Sequence, residues 1–172
     1  LRIREKQGYK VFSPFYVPTL DSYDMYECHV GLGYTRIVSE FYKIRTEVTI
    51  FVPRDSFCEV RDIKITNLGD QVREIDVIPV VEYTHPHAIM QFTNADWVPQ
   101  TMVSRLADGA SDKKILIQYP FMHRDIKVNY FTSNYPVSSF ETDRKIFLGD
   151  NEYGTWKEPK SLLKDELSNY QA

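Results

Sequence analysis

The segment "TEVTIFV" at 46–52 sends Val48, Ile50 and Val52 to one side and Glu47 and Thr49 to the other. An extended chain does this because successive side chains leave opposite faces, so a strict period of two marks a strand with one face buried. The pattern recurs along the chain: Ile63 and Ile65 in "DIKIT", and Ile75, Val77, Val81 and Tyr83 in "REIDVIPVVEY". It returns with Ile115, Ile117 and Tyr119 in "KILIQY", and with Ile126, Val128 and Tyr130 in "DIKVNYF". Long helical periodicity is missing between these runs, so the chain has to build sheets.

The connections refine the architecture. "TNLGDQ" and "LADGASDK" carry Asn, Gly and Asp between strand patterns and predict hairpins. Val60 is out of phase with Ile63 and Ile65, which predicts a bulge near Arg61-Asp62. Only the tail "PKSLLKDELSNYQA" has helical spacing, with Ser161 as a cap and Leu163, Leu167 and Tyr170 on one side. The expected fold is all-β, an antiparallel sandwich closed by a short C-terminal helix. A single domain over 1–172 is expected. The chain begins abruptly at Leu1 and stops at the amphipathic pattern of its tail, so the expected sandwich is partial, with strands continuing beyond the sequence.

Composition narrows the function. Net charge is −3, with 21 basic and 24 acidic residues dispersed along the chain, so the basic footprint of a nucleic-acid binder is missing. No apolar run approaches the roughly 20 residues of a membrane helix. Two cysteines, Cys28 and Cys58, are too few for a disulfide scaffold and suit the reduced thiols of a cytoplasmic protein. Aromatics are abundant, with 12 Tyr, 10 Phe and 2 Trp. Tyrosine suits half-buried sheet faces and wet interfaces because an apolar ring carries a polar tip.

Chemistry-bearing residues concentrate in "THPHAIMQFTNADWVPQTM" at 84–102. His85 and His87 share a face if extended, and Cys28, His29 or Asp96 could add metal ligands, but no recognised zinc spacing is present. Hydrogen bonding at a strand end is the simpler role for the two histidines. Cys28 and His29 are adjacent, so in a strand they face opposite ways and cannot form a thiolate–imidazole pair. No G-x-S-x-G elbow is present, and "GLGY" at 31–34 lacks the third glycine and helix of a dinucleotide site. Glu82, Asp96, Glu141, Asp143 and Asp150 are the carboxylates available for acid–base work. Trp97 with His85, His87, Gln91, Asn94, Asp96 and Gln100 combines a flat ring with many hydroxyl partners, as a sugar surface needs. The same amides and acid could equally brace a long connection.

Four segments stand out together: "FSPFYVPTLDSYD" (12–24), "YECHVGLGYTRIVSEFYKIRTEVTIFVP" (26–53), "EIDVIPVVEYTHPHAIMQFTNADWVPQTM" (74–102) and "FETDRKIFLGDNEYGTWKEPKSLLKDELSNYQA" (140–172). In this order they resemble glycoside hydrolase family 94, the inverting phosphorylases of β-linked gluco-oligosaccharides. The resemblance implies an N-terminal super-sandwich of the galactose-mutarotase-like kind, without the (α/α)6 barrel that carries the family's catalytic aspartate. The chain alone is therefore expected to be inactive, with no catalytic residue, metal or organic cofactor of its own. Inorganic phosphate is the co-substrate of the full enzyme, a glycosyltransferase-type phosphorylase of carbohydrate metabolism.

Implied partners are the remaining domains, a second subunit in a homodimer, and β-gluco-oligosaccharides. Residues 84–102 would reach the active-site rim or pack between domains. "QFTNADWVPQTM" departs from the cellobiose and chitobiose types, and favours β-1,2-glucan-active members slightly over the cellodextrin type. The rival reading is a free-standing carbohydrate-binding sandwich module, which fold alone does not separate from the first.

Overall fold

The structure, a computed structural model, describes residues 1–83, 102–109, 113–120, 128–149 and 156–171. Two compact units share the chain: Leu1–Ile78 with Asn151–Pro159, and Pro79–Asp150 with Lys160–Ala172. Ten strands are seen among the described residues, and every strand pair is antiparallel.

The first unit contains a four-stranded meander, β3 (Met25–Gly31), β4 (Tyr34–Phe41), β5 (Ile44–Phe51) and β6 (Val60–Asn67), in that spatial order. A second sheet has the order β2 (Tyr9–Val11), β1 (Arg2–Arg4), β7 (Glu74–Asp76). Ile44, Phe41 and Ile65 from the meander pack with Ile3, Phe12 and Ile75 from the second sheet and its flank. Ile3 and Ile44 are wholly buried, each stabilising the fold by roughly 1.5–3 kcal/mol. This is sheet-on-sheet packing, and the inward residues are those that alternation selects.

Two features of the meander are specific to its turns. β4 and β5 are joined by Tyr42 (φ 52) and Lys43 (φ 60), the two positive φ values of a type I′ hairpin. The Tyr42 ring, 4.1 Å from Phe41 and 6.0 Å from Phe12 by centroid, offsets the strain of a non-glycine residue there. At the other end Gly33 takes φ 89 between β3 and β4, and the Tyr34 ring lies where a Cβ on Gly31 would stand. The glycines of "GLGY" therefore serve a tight hairpin.

Arg2, Arg4 and Asp76 form a charged cluster on the second sheet's other face. Asp76 Oδ2 accepts from Arg2 Nε at 2.8 Å and Arg4 Nε at 2.9 Å, and Tyr9 lies under the Arg2 guanidinium at 4.7 Å. Burial by itself raises the Asp76 pKa, but the hydrogen bonds and charges of Arg4 and Arg2 outweigh it and hold the carboxyl below its ordinary value.

The second unit carries β8 (Met102–Asp108), β9 (Lys114–Pro120) and β10 (Asn129–Phe131) in the order β10-β9-β8. A short helix, Arg144–Leu148, is capped by Asp143, whose Oδ1 accepts from Ile146 N at 2.8 Å. The tail adds a short 3-10 turn, Lys160–Leu163. Ser161 lies inside that turn, buried, and donates to the Ile146 carbonyl at 3.0 Å. Leu162 is buried and Leu163 exposed, so the face of the tail differs from the expected Leu163–Leu167 stripe.

Other expectations are also corrected. β6 pairs with β5 residue for residue from Val60 to Asn67, so no bulge interrupts it. The "TNLGDQ" turn forms, with Gly69 N donating to Asn67 Oδ1 at 3.0 Å, but the strand after it pairs with β1 rather than folding back on β6. Regular strand ends at Asp76, although alternation continued to Tyr83, and Pro79 lacks the N–H that a ladder would need. The β8–β9 hairpin is as expected.

Candidate functional site

His85, His87, Gln91, Asn94, Asp96, Trp97 and Gln100 all lie outside the described residues. What is described is the frame at their flanks. Tyr83 Oη donates to the Tyr130 carbonyl of β10 at 3.2 Å, and Glu82 pairs with Arg144 at 2.7 Å. On the far side, Met102 opens β8 opposite Pro120. The side chains of Tyr83 and Glu82 thus tie the approach to this segment to β10 and to the Arg144–Leu148 helix.

The described carboxylates singled out from sequence have structural duties. Glu82 holds Arg144, and Asp143 caps the helix. Glu141 Oε1 accepts from the backbone N–H of Thr142 and of Asp143, both at 3.0 Å, while its Oε2 meets Ser168. "FETDRKIFLG" is therefore a capping device, closed by Gly149 at φ 77, whose N–H reaches the Lys145 carbonyl at 2.8 Å. His29 pairs with Glu27 at 3.0 Å, and Cys28 aligns with Ile37 while His29 aligns with Arg36. Cys28 and His29 therefore point to opposite faces. Among the described residues no group of three His, Cys, Asp or Glu side chains is placed to hold a metal.

Sequence reading missed a depression on the outer face of the meander. It is open, of about 310 Å³, and lined by Met25, Glu27, His29, Arg36, Val38, Arg45 and Glu47. The register explains the grouping: Glu27, Val38 and Glu47 stand in one cross-strand row, with His29 and Arg36 in the next. Period two put these residues on the polar face, but only the pairing register brought them together. Glu47 is held below the usual carboxylate pKa by a hydrogen bond from Arg36 and then one from Lys64. Glu40 pairs with Arg45 at 2.6 Å. An array of opposite charges already matched to one another makes a solvated face, and Glu47 in it is a poor proton donor.

With this strand framework, residues 2–172 match the family described as "Glycosyl hydrolase 94, supersandwich domain". The chain belongs to that family, and its domain is the supersandwich of the family's phosphorylases. Among curated relatives, it is 26% identical over 152 residues to an N,N'-diacetylchitobiose phosphorylase of Vibrio proteolyticus, covering 86% of this chain and 18% of the relative. It is 24% identical over 172 residues to a solabiose phosphorylase of Paenibacillus borealis, covering 97% and 21%. A 3-O-beta-D-glucopyranosyl-beta-D-glucuronide phosphorylase of the same organism is 23% identical over 172 residues, covering 94% and 20%. The chain spans about a fifth of the length of these relatives. Among the described residues no helix is long and apolar enough to cross a membrane.

Proposed function

We propose that this chain is the non-catalytic supersandwich of an inverting phosphorylase that cleaves a β-linked gluco-oligosaccharide with inorganic phosphate. The observation that carries the reading is the family match across residues 2–172, alongside relatives that are phosphorylases over about five times its length. In the reaction a phosphate oxygen attacks the anomeric carbon, the glycosidic C–O bond breaks, and one carboxylic acid supplies the proton to the departing oxygen. One displacement inverts the centre, giving an α-sugar 1-phosphate and a shortened sugar. The acid belongs to a barrel domain beyond these 172 residues, so the chain alone is inactive and needs no metal or organic cofactor.

The domain supports that barrel, contributes to a homodimer and, through residues 84–102, lines the rim of the sugar site in the cytoplasm. His85, His87, Gln91, Asn94, Asp96 and Gln100 supply hydrogen bonds there, and Trp97 stacks on a sugar face. The relatives' names carry three different sugars, so the glucan linkage is a matter for assay.

The test is phosphate-dependent release of sugar 1-phosphate from β-1,2-, β-1,3- and β-1,4-gluco-oligosaccharides by the native polypeptide carrying this sequence. Release on one linkage is expected. Glucan binding without release on any of them would refute phosphorolysis of those substrates and favour a free-standing carbohydrate-binding module. In an active enzyme Trp97→Ala should weaken oligosaccharide binding by about 1–3 kcal/mol, read as a raised KM or Kd. Unchanged affinity would assign the segment to packing.

A further inference from the structure

The outer face of the meander changes character along its length. Three cross-strand rows carry charge, the last being His29, Arg36, Thr49 and Asp62. The closing row is Gly31, Tyr34, Phe51 and Val60, and it is apolar. Beyond it the β3–β4 turn and the β5–β6 connection both emerge from the same end of the sheet. Leu32 and Phe57 are fully exposed on them, and Val30 and Val52 are 80% and 61% exposed. Gly33, at φ 89, makes the turn that projects Leu32. Val30 stands on the sheet's other face, in the row of Thr35, Ile50 and Arg61, so these side chains gather at one end of the sheet rather than on one face. Singly exposed apolar residues are ordinary, but several large ones at one end of a sheet mark a contact surface.

The edges of the same sheet are guarded. β6 presents Arg61, Asp62 and Lys64, and β3 presents Glu27 and His29, which disfavour the addition of another strand. A partner therefore meets this sheet end-on, through side chains. The type I′ end is different, because the Tyr42 ring there packs on Phe12 and Phe41 under the Lys10 ammonium.

We propose that the tip formed by Val30, Leu32, Val52 and Phe57 seats an apolar surface of the phosphorylase polypeptide beyond these 172 residues, with Phe57 and Leu32 as anchors. The inference rests on the phosphorylase reading and names the surface through which the domain is held. The occupant follows from length: four-fifths of each curated relative lies outside the matched stretch. A contact of this sort buries a few large side chains and excludes water around them.

The test is hydroxyl-radical footprinting of the native polypeptide, with its mass measured and its phosphorolysis assayed on the same sample. Phe57 and Leu32 should be labelled several-fold less in the folded protein than in urea, while Val72, 99% exposed at the opposite end, labels nearly as in urea. Equal labelling of Phe57 and Leu32 in both states overturns the proposal. So does protection that disappears when a homo-oligomer is diluted apart, since a second copy is then the occupant. A native polypeptide with no residues beyond these 172 also overturns it. Protection that persists in the monomer, with no sugar 1-phosphate formed, upholds the covered tip and refutes only the phosphorylase activity.

Discussion

Replacing Thr46 with valine tests the polar bond inside the meander's apolar face. Ser39 on β4 stands opposite Thr46 on β5, and both are almost completely buried. Their hydroxyls are 2.7 Å apart, and Thr46 Oγ1 also lies 3.4 Å from the Ser39 carbonyl. Valine keeps the shape of threonine but leaves the Ser39 hydroxyl buried without this partner, which costs about 1–3 kcal/mol. Ser39→Ala is milder, because Thr46 Oγ1 still has the residue-39 carbonyl to donate to, so roughly 0.5–1.5 kcal/mol is lost. The double variant orphans neither hydroxyl. Its loss should therefore fall below the sum of the single losses by about 1 kcal/mol or more. Urea unfolding of the four proteins of the cycle, followed by circular dichroism, reads all of these. Additive losses, or Ser39→Ala costing more than Thr46→Val, would refute the reasoning.

Three further outcomes are expected. Lys43→Gly should raise stability by about 0.5–1 kcal/mol in the same urea assay, since glycine takes positive φ without the side-chain clash and the Lys43 side chain is exposed. Asp76→Asn should cost roughly 3 kcal/mol, because Arg2 stays buried without its carboxylate. Because the Asp76 pKa is depressed in the fold, its contribution is present above the unfolded value and lost as pH falls through the folded one, and the asparagine variant should lack that acid-dependent loss. In a polypeptide that starts with a free amine at Leu1, burial, partly opposed by the charge of Asp76, lowers the amine's pKa from 8.0 to about 6. The unfolded chain then binds more protons between those values, so stability should rise by roughly 2 kcal/mol from pH 6 to pH 8, and N-acetylation should remove the slope.

Much of the strand framework was legible before the structure. Val48 and Ile50 in β5 and Ile115 and Ile117 in β9 sit in the strands that alternation marked. β4 was harder to read, because Ile37 and Val38 are adjacent, face opposite sides and are both buried. The phase change at Val60 was real but misread as a bulge. Val60 belongs to the apolar closing row of the outer face, whereas Ile63 and Ile65 belong to the other face. The tail's leucines suggested a helix, yet what holds this region is Ser161 on the Ile146 carbonyl, the Phe140 N–H on Asn169 Oδ1 and the Asn169 N–H on the Phe140 carbonyl. Those contacts join segments separated in sequence, and no local pattern announces them.

The sequence by itself determined which stretches extend and which side of each is apolar, because the pleat imposes a period of two on every strand. The order of Gly, Tyr and charged blocks was also enough to point to the family. Only the tertiary structure decided which strands pair. β7 passes over its sequence neighbour β6 and joins β1, so that Arg2 meets Asp76 across 74 positions. It also decided that Glu27, His29, Arg36 and Glu47 share one depression while Leu32 and Phe57 share one bare tip. Alternation is set locally by backbone geometry. Pairing and register depend on the combined burial and hydrogen bonding of segments far apart in the chain, and they exist only once those segments have met.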